Sequence, residues 1–115
     1  YVNAHGTSTL KNDATETAIL KQIFGERAYR VPISSSKSML GHMIGASAAV
    51  ELIISALTVH HGVAPPTINL SEPDPDCDLD YVTEGARQLP LRTVLSTSFG
   101  FGSRNAALVV RASRD

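Results

Sequence analysis

The sequence predicts a layered α/β fold, a mixed sheet with a buried helix, and three observations carry that reading. Extended and helical segments alternate in the order β-α-β-α-loop-β-β along 115 residues. A helical stretch in the second quarter is apolar around nearly its whole circumference. The last strand candidate contains an unbroken Ala-Leu-Val-Val run, the pattern of strands buried on both faces.

Taken in order, residues 1–4 read as the end of a strand that enters the small-residue turn Gly6-Thr7-Ser8-Thr9. A helix follows. Asp13 and Glu16 have capping-box spacing, and Ala14/Ala18, Ile19/Ile23 and Leu20/Phe24 pair at i,i+4 to make one apolar face, with Gly25 as the stop. Val31-Pro32-Ile33 is extended, because the residue before proline avoids the α region. Residues 34–38, Ser-Ser-Ser-Lys-Ser, read as polar and irregular. From about Gly41 to His60 or His61 the chain reads as one helix, closed by Gly62. Apolar on all sides implies burial on all sides. So short a chain has little to surround such a helix, and the missing cover implies a missing partner. Residues 63–75 hold four of the six prolines and read as an ordered connection. Residues 85–90 form a turn region, and strands at 93–98 and 106–111 flank the glycine-rich reversal 99–103.

Composition excludes several classes. Ten Lys+Arg against eleven Asp+Glu give a net charge of −1, so no positive field gathers nucleic-acid phosphates or anionic lipid. One Cys cannot form an internal disulfide. The apolar stretch at 43–59 carries Glu51 near its centre, where a charge in lipid would cost roughly 3 kcal/mol, so a core helix fits better than a membrane span. The reading taken is a soluble protein without a membrane segment. The chain starts at Tyr1 with no signal-peptide pattern, which reads as a processed chain or part of a larger one.

Few residues carry chemistry. His5 follows a strand end, where α/β folds place their sites. His42 sits at the start of the apolar helix, where the dipole disfavours imidazolium, and a neutral His donates a hydrogen bond to a carbonyl or enolate oxygen. Two such donors on one oxygen make an oxyanion site; the alternative is that each His satisfies local backbone. No spacing supports zinc. Asp74, Asp76, Asp78 and Asp80 alternate as in a calcium loop but lack its glycine and terminal glutamate, and so read as a solvated acidic loop. Cys77 lies inside that acidic run, where a raised pKa makes it a poor nucleophile. Gly100-x-Gly102 lacks the third glycine of a dinucleotide fingerprint.

Together these groups resemble one family, the type II β-ketoacyl-[acyl-carrier-protein] synthases, condensing enzymes of the thiolase fold. The matching stretches are Val2-Asn3-Ala4-His5-Gly6-Thr7-Ser8-Thr9, Asn12-Asp13-Ala14-Thr15-Glu16-Thr17, Ser36-Lys37-Ser38-Met39-Leu40-Gly41-His42 through Glu51, Pro65-Pro66-Thr67-Ile68-Asn69-Leu70, and Ser98-Phe99-Gly100-Phe101-Gly102. The resemblance implies a thiolase-like layered fold, with residues 1–115 as the C-terminal portion and the N-terminal half absent. The implied reaction is a decarboxylating Claisen condensation of malonyl-acyl carrier protein with an acyl thioester, elongating fatty acyl chains. A polyketide ketosynthase or a non-catalytic chain-length-setting subunit is the alternative.

Carried over residue by residue, His5 and His42 match the histidines that stabilise the enolate, and Lys37 the lysine that supports them. Glu51 matches the acidic member of that buried network. Thr7 and Thr9 match hydroxyls for the phosphopantetheine arm, and Phe101 the gating phenylalanine. The nucleophilic cysteine would lie outside this chain, leaving these residues inactive alone. No cofactor is implied beyond the phosphopantetheine of acyl carrier protein. The implied partners are that carrier, the N-terminal half and a second copy in a homodimer, in the cytoplasm, with an organelle as the alternative. Ser103 stands where a second glycine is usual, Leu10 where proline is common, and Ser47-Ala48 where Ala-Gly is usual.

Overall fold

The computed structural model describes residues 1–113. The elements are β1 (Val2–Asn3), α1 (Asn12–Phe24), a 3-10 helix (Gly25–Arg30), β2 (Ile33–Ser34), α2 (Lys37–Leu40), a 3-10 turn (Ile44–Ala46), α3 (Ser47–His61), β3 (Val63–Ala64), β4 (Arg87–Gln88), β5 (Thr93–Gly100) and β6 (Arg104–Arg111). The main sheet has the order β2-β1-β5-β6 and is mixed, as expected. β1 runs parallel to both β2 and β5, while β5 and β6 form an antiparallel hairpin. β3 and β4 pair in a separate antiparallel ribbon that the sequence did not announce, since two-residue strands carry no periodicity.

Alternation along β1 divides the sheet into two sides. Val2 and Ala4 join Leu20 of α1, Ala28, Ile33 and Leu79 in one apolar cluster. Tyr1 joins Ala64, Val82 and Val94 in the other, with Val59 of α3 packed against it. The outer edge of β2 is covered by the segment around Tyr81: Ile33 N–H donates to Asp80 O and Val82 N–H to Ile33 O.

Several expectations are corrected. The capping box does not form: Lys11 occupies the N-cap without a side-chain hydrogen bond, and Glu16 is drawn away to the strand β1 exit. The apolar face of α1 is only partly used, with Leu20 buried and Ile23 exposed. Residues 34–38 are ordered, Ser34 closing β2 and Lys37 opening α2. Helix does not run on from Gly41: Gly41 and Ile44 both adopt positive φ, 79° and 50°, which breaks the chain between α2 and α3.

The largest correction concerns α3. It is not buried all round. Its buried residues are Ser47, Glu51, Ser55 and Thr58, a polar stripe at helical spacing, while Ile53 is 59% and Leu57 50% exposed. Small hydroxyl side chains let the helix approach the sheet closely and satisfy it: Ser55 Oγ donates to Glu51 O at 2.7 Å, and Asn3 Nδ2 donates to the same carbonyl at 3.3 Å. The stretch Ile44–His61 is long and apolar enough by length and composition to cross a membrane, yet its one carboxylate is turned inward onto the sheet side. β6 likewise is not covered on both faces, with Leu108 46% and Val109 68% exposed. The reversal is tighter than expected, because Phe99 and Gly100 already belong to β5 and only residues 101–103 turn.

Candidate active site

β1 ends at Asn3, so Ala4, His5 and Gly6 emerge at the carboxyl end of the parallel strands, where open α/β sheets form their crevices. The backbone here is held by the buried carboxylate of Glu16. His5 N–H and Gly6 N–H each donate to it at 2.9 Å, one to each oxygen, and the Thr97 hydroxyl donates at 2.7 Å. Gly6 has φ of 40°, and a Cβ there would lie 2.4 Å from the Ser35 Cβ, so no other residue fits; Ser35 Oγ donates to Gly6 O at 2.8 Å across that contact. The His-Gly turn is thereby fixed from two sides.

His5 is 7% exposed and its Nδ1 is buried without a hydrogen-bond partner among the described residues. Burial pushes its pKa below the ordinary 6.5; the nearby Lys37 charge pushes the same way, and Glu16 opposes. The neutral imidazole is the favoured form. Phe99 of β5 packs on it edge-on, ring centroids 5.6 Å apart.

His42 stands 5.6 Å from His5 between ring centroids, with the two rings perpendicular. Its Nδ1 accepts the Ile44 backbone N–H at 3.2 Å and lies 3.0 Å from Ser47 Oγ. A nitrogen that accepts an N–H bears a lone pair, so neutral His42 carries its proton on Nε2.

Behind the pair, Lys37 Nζ and Glu51 Oε1 form a buried ion pair, the side chains 5% and 3% exposed. The carboxylate inside the apolar helix thus finds its partner on α2, as a buried charge must. Glu51 Oε2 has no hydrogen-bond partner among the described residues. An open cleft of about 700 Å³ reaches the site, and Thr7, Thr9, Lys37 and His42 line it. Thr7 Oγ1 and Thr9 Oγ1 lie 3.1 Å apart and exposed.

The structure therefore brings His5, His42, Lys37 and Glu51 together and sets Thr7 and Thr9 on the same cleft. Phe101 is not among them: it sits fully exposed at the tip of the β5–β6 hairpin, and the aromatic ring beside His5 is Phe99. Cys77 also lines the cleft, and its thiol pKa is raised, first by burial and then by its acidic neighbours, although Thr17 opposes through a hydrogen bond. Asp80 and Asp78 of the acidic loop are engaged in ion pairs with Arg87 and Lys21. Sequence reasoning missed Glu16, read as a helix cap, and Ser47, read as a mere departure. The signal for Glu16 was an acidic residue within reach of a glycine turn whose N–H groups lacked partners.

The mixed sheet flanked by helices, with two histidines meeting over a buried Lys–Glu pair, is the thiolase-like layered fold of the ketosynthase structures on which it superposes. Residues 1–71 match the beta-ketoacyl synthase C-terminal domain. The chain belongs to that family.

Among curated relatives, it is 56% identical to the oxytetracycline polyketide putative beta-ketoacyl synthase 1 of Streptomyces rimosus, over 96% of this chain and 26% of the relative. It is 52% identical to the 3-oxoacyl-[acyl-carrier-protein] synthase 2 of Coxiella burnetii, over 96% of this chain and 27% of that protein. Among solved structures, it superposes with TM-score 0.95 and 42% identity on a chain of a type II polyketide synthase complex of acyl carrier protein and ketosynthase, covering 98% of this chain and 28% of that one. A beta-ketoacyl synthase from Burkholderia phymatum gives TM-score 0.91 at 43% identity, over 99% and 28% of the two chains. The chain thus spans about a quarter of the length of the relatives it matches.

Proposed function

We propose that this chain provides the enolate-stabilising portion of a decarboxylating condensing enzyme that joins malonyl-acyl carrier protein to an acyl thioester and elongates fatty acyl chains. The single observation that carries this reading is the meeting of His5 and His42, ring centroids 5.6 Å apart, with His42 lining an open cleft. The malonyl thioester oxygen accepts their N–H groups. The bond to the carboxylate breaks, carbon dioxide leaves, and the electron pair passes into an enolate whose oxygen rests on those donors. The enolate carbon then attacks the acyl thioester carbonyl, and the nucleophile's thiolate departs. That nucleophile is assigned outside these residues, since the Cys77 thiol is disfavoured as a thiolate; the chain alone would not condense. Lys37 supplies positive charge behind the histidines, and Glu51 keeps it in place.

Thr7 and Thr9 are assigned to the phosphopantetheine arm, Phe101 to gating, and the exposed apolar side of α3 to the N-terminal half. The whole protein would work as a homodimer with acyl carrier protein in the cytoplasm, with no cofactor of its own. The complex of acyl carrier protein with its ketosynthase among the similar structures supports the carrier as partner.

The test uses the full-length protein containing this chain. His5→Ala and His42→Ala should each slow malonyl decarboxylation by about 100-fold or more, the scale of one lost oxyanion donor, while acylation of the nucleophile suffers less. Normal decarboxylation in both variants overturns the reading. A second reading, a polyketide ketosynthase, is favoured by the 56% identity to the oxytetracycline protein. Incubation with malonyl-carrier protein and an acyl primer separates the two: a single 3-oxoacyl product marks fatty acyl elongation, and an unreduced poly-β-ketone marks the other.

A further inference from the structure

We propose that Ser47 is a positioning residue for His42, fixing the imidazole as the Nε2–H donor through a hydroxyl bridge to Nδ1. This rests on the two-histidine reading above. Ser47 opens α3 and is 4% exposed. Its Oγ accepts the Met43 backbone N–H at 2.8 Å and lies 3.0 Å from His42 Nδ1. Nδ1 already accepts the Ile44 N–H at 3.2 Å, so it bears the lone pair, and the Ser47 hydroxyl proton is directed to it. The opposite tautomer would set an Nδ1–H against the Ile44 N–H, donor against donor.

The loop that makes this arrangement does not hold itself. Ile44 is β-branched at φ of 50°, a conformation such residues rarely adopt, and its side chain is 85% exposed, so packing does not impose it. The neighbouring peptides are tied down instead by Met43 N–H on Ser47 and by Ala46 N–H on Met43 O at 3.0 Å. One buried hydroxyl therefore serves both the loop and the imidazole. With Ala at position 47, Ile44 N–H would be left as the sole donor to Nδ1.

The experiment compares wild type, Ser47→Ala, Ser47→Thr and His42→Ala in the full-length protein. Selective ¹⁵N labelling of histidine rings reads the His42 tautomer without reference to activity, and His42→Ala assigns the signals. In wild type the Nδ1 resonance should be that of an unprotonated acceptor. Ser47→Ala should shift it toward tautomer averaging and slow malonyl decarboxylation by about five-fold, the effect of one hydrogen bond, with nucleophile acylation unchanged. Ser47→Thr, which keeps the hydroxyl, should restore both readouts; should it misfold, the Ala variant decides alone. An unchanged ¹⁵N spectrum in Ser47→Ala overturns the proposal, as does an equal fall in decarboxylation and acylation, which would mark a purely structural role. Normal decarboxylation in His42→Ala would instead overturn the functional reading, leaving the tautomer measurement to judge Ser47.

Discussion

The two long helices lie on the same small domain and both bury polar residues, but only one of them adds a buried apolar anchor. α1 buries Glu16 and Thr17 and puts Leu20 into an apolar cluster with Val2, Ala28, Ile33 and Leu79, while Thr15, Ala18, Gln22 and Ile23 are exposed. α3 turns Ser47, Glu51, Ser55 and Thr58 inward and leaves Ile53 and Leu57 outside. The first is anchored within this chain by Leu20. The second has one finished face, and that face is polar because it carries the Ser47 and Glu51 that meet His42 and Lys37.

The sharpest way to break that comparison is to remove one charge from the finished face. In the full-length protein Glu51→Ala leaves Lys37 buried and unpaired and should cost about 3–5 kcal/mol by chemical denaturation, whereas the double change Glu51→Leu with Lys37→Met should recover most of that stability while abolishing decarboxylation. A Glu51→Ala cost below about 1 kcal/mol would mean that solvent reaches the pair.

Next come the apolar residues. Leu20→Ala should cost about 2–5 kcal/mol in the isolated chain and in the full-length protein alike, since its cavity is lined from within. Ile53→Lys should do the reverse. It should leave the isolated chain's unfolding unchanged and reduce its self-association in sedimentation velocity, yet destabilise the full-length protein. Equal effects of Ile53→Lys in both contexts would show that this face is never covered.

A smaller effect comes from His5. Burial depresses its folded-state pKa below 6.5, so the unfolded chain binds the extra proton first. Stability should be level above that pH and fall as pH drops from 6.5 toward the lowered folded value. The urea midpoint measured at successive pH values should show that fall, and His5→Gln should flatten it. The smallest change lies at the hairpin tip, where Ser103 holds φ of 60°. Ser103→Gly should raise stability by about 1 kcal/mol, seen as a higher Tm.

Legibility in the sequence followed the range of the interactions. The strand before His5, the stop of α1 at Gly25 and the β5–β6 hairpin were readable, because each rests on neighbours a few residues apart. The two histidines, Lys37 and Glu51 were also readable as a set, through the resemblance. Glu16 was not, because its carboxylate had a local explanation as a cap, and only the fold brings the His5 and Gly6 N–H groups to it. Phe101 was singled out beside Phe99, and the pleat of β5 turns Phe99 onto His5 while the tip carries Phe101 into solvent.

By itself, then, the sequence determined the types of the longer elements, the mixed α/β layering and the residues with chemistry to offer, since helix stops, turn glycines and apolar runs act locally. Only the tertiary structure decided which face of α3 meets the sheet. An apolar helix interrupted by Ser47, Glu51, Ser55 and Thr58 has two candidate inner faces, and hydrophobicity alone favours the wrong one. The buried Lys37 charge and the Asn3 amide, both distant in sequence, settle the choice, because a polar group shut away from water must find its partner there.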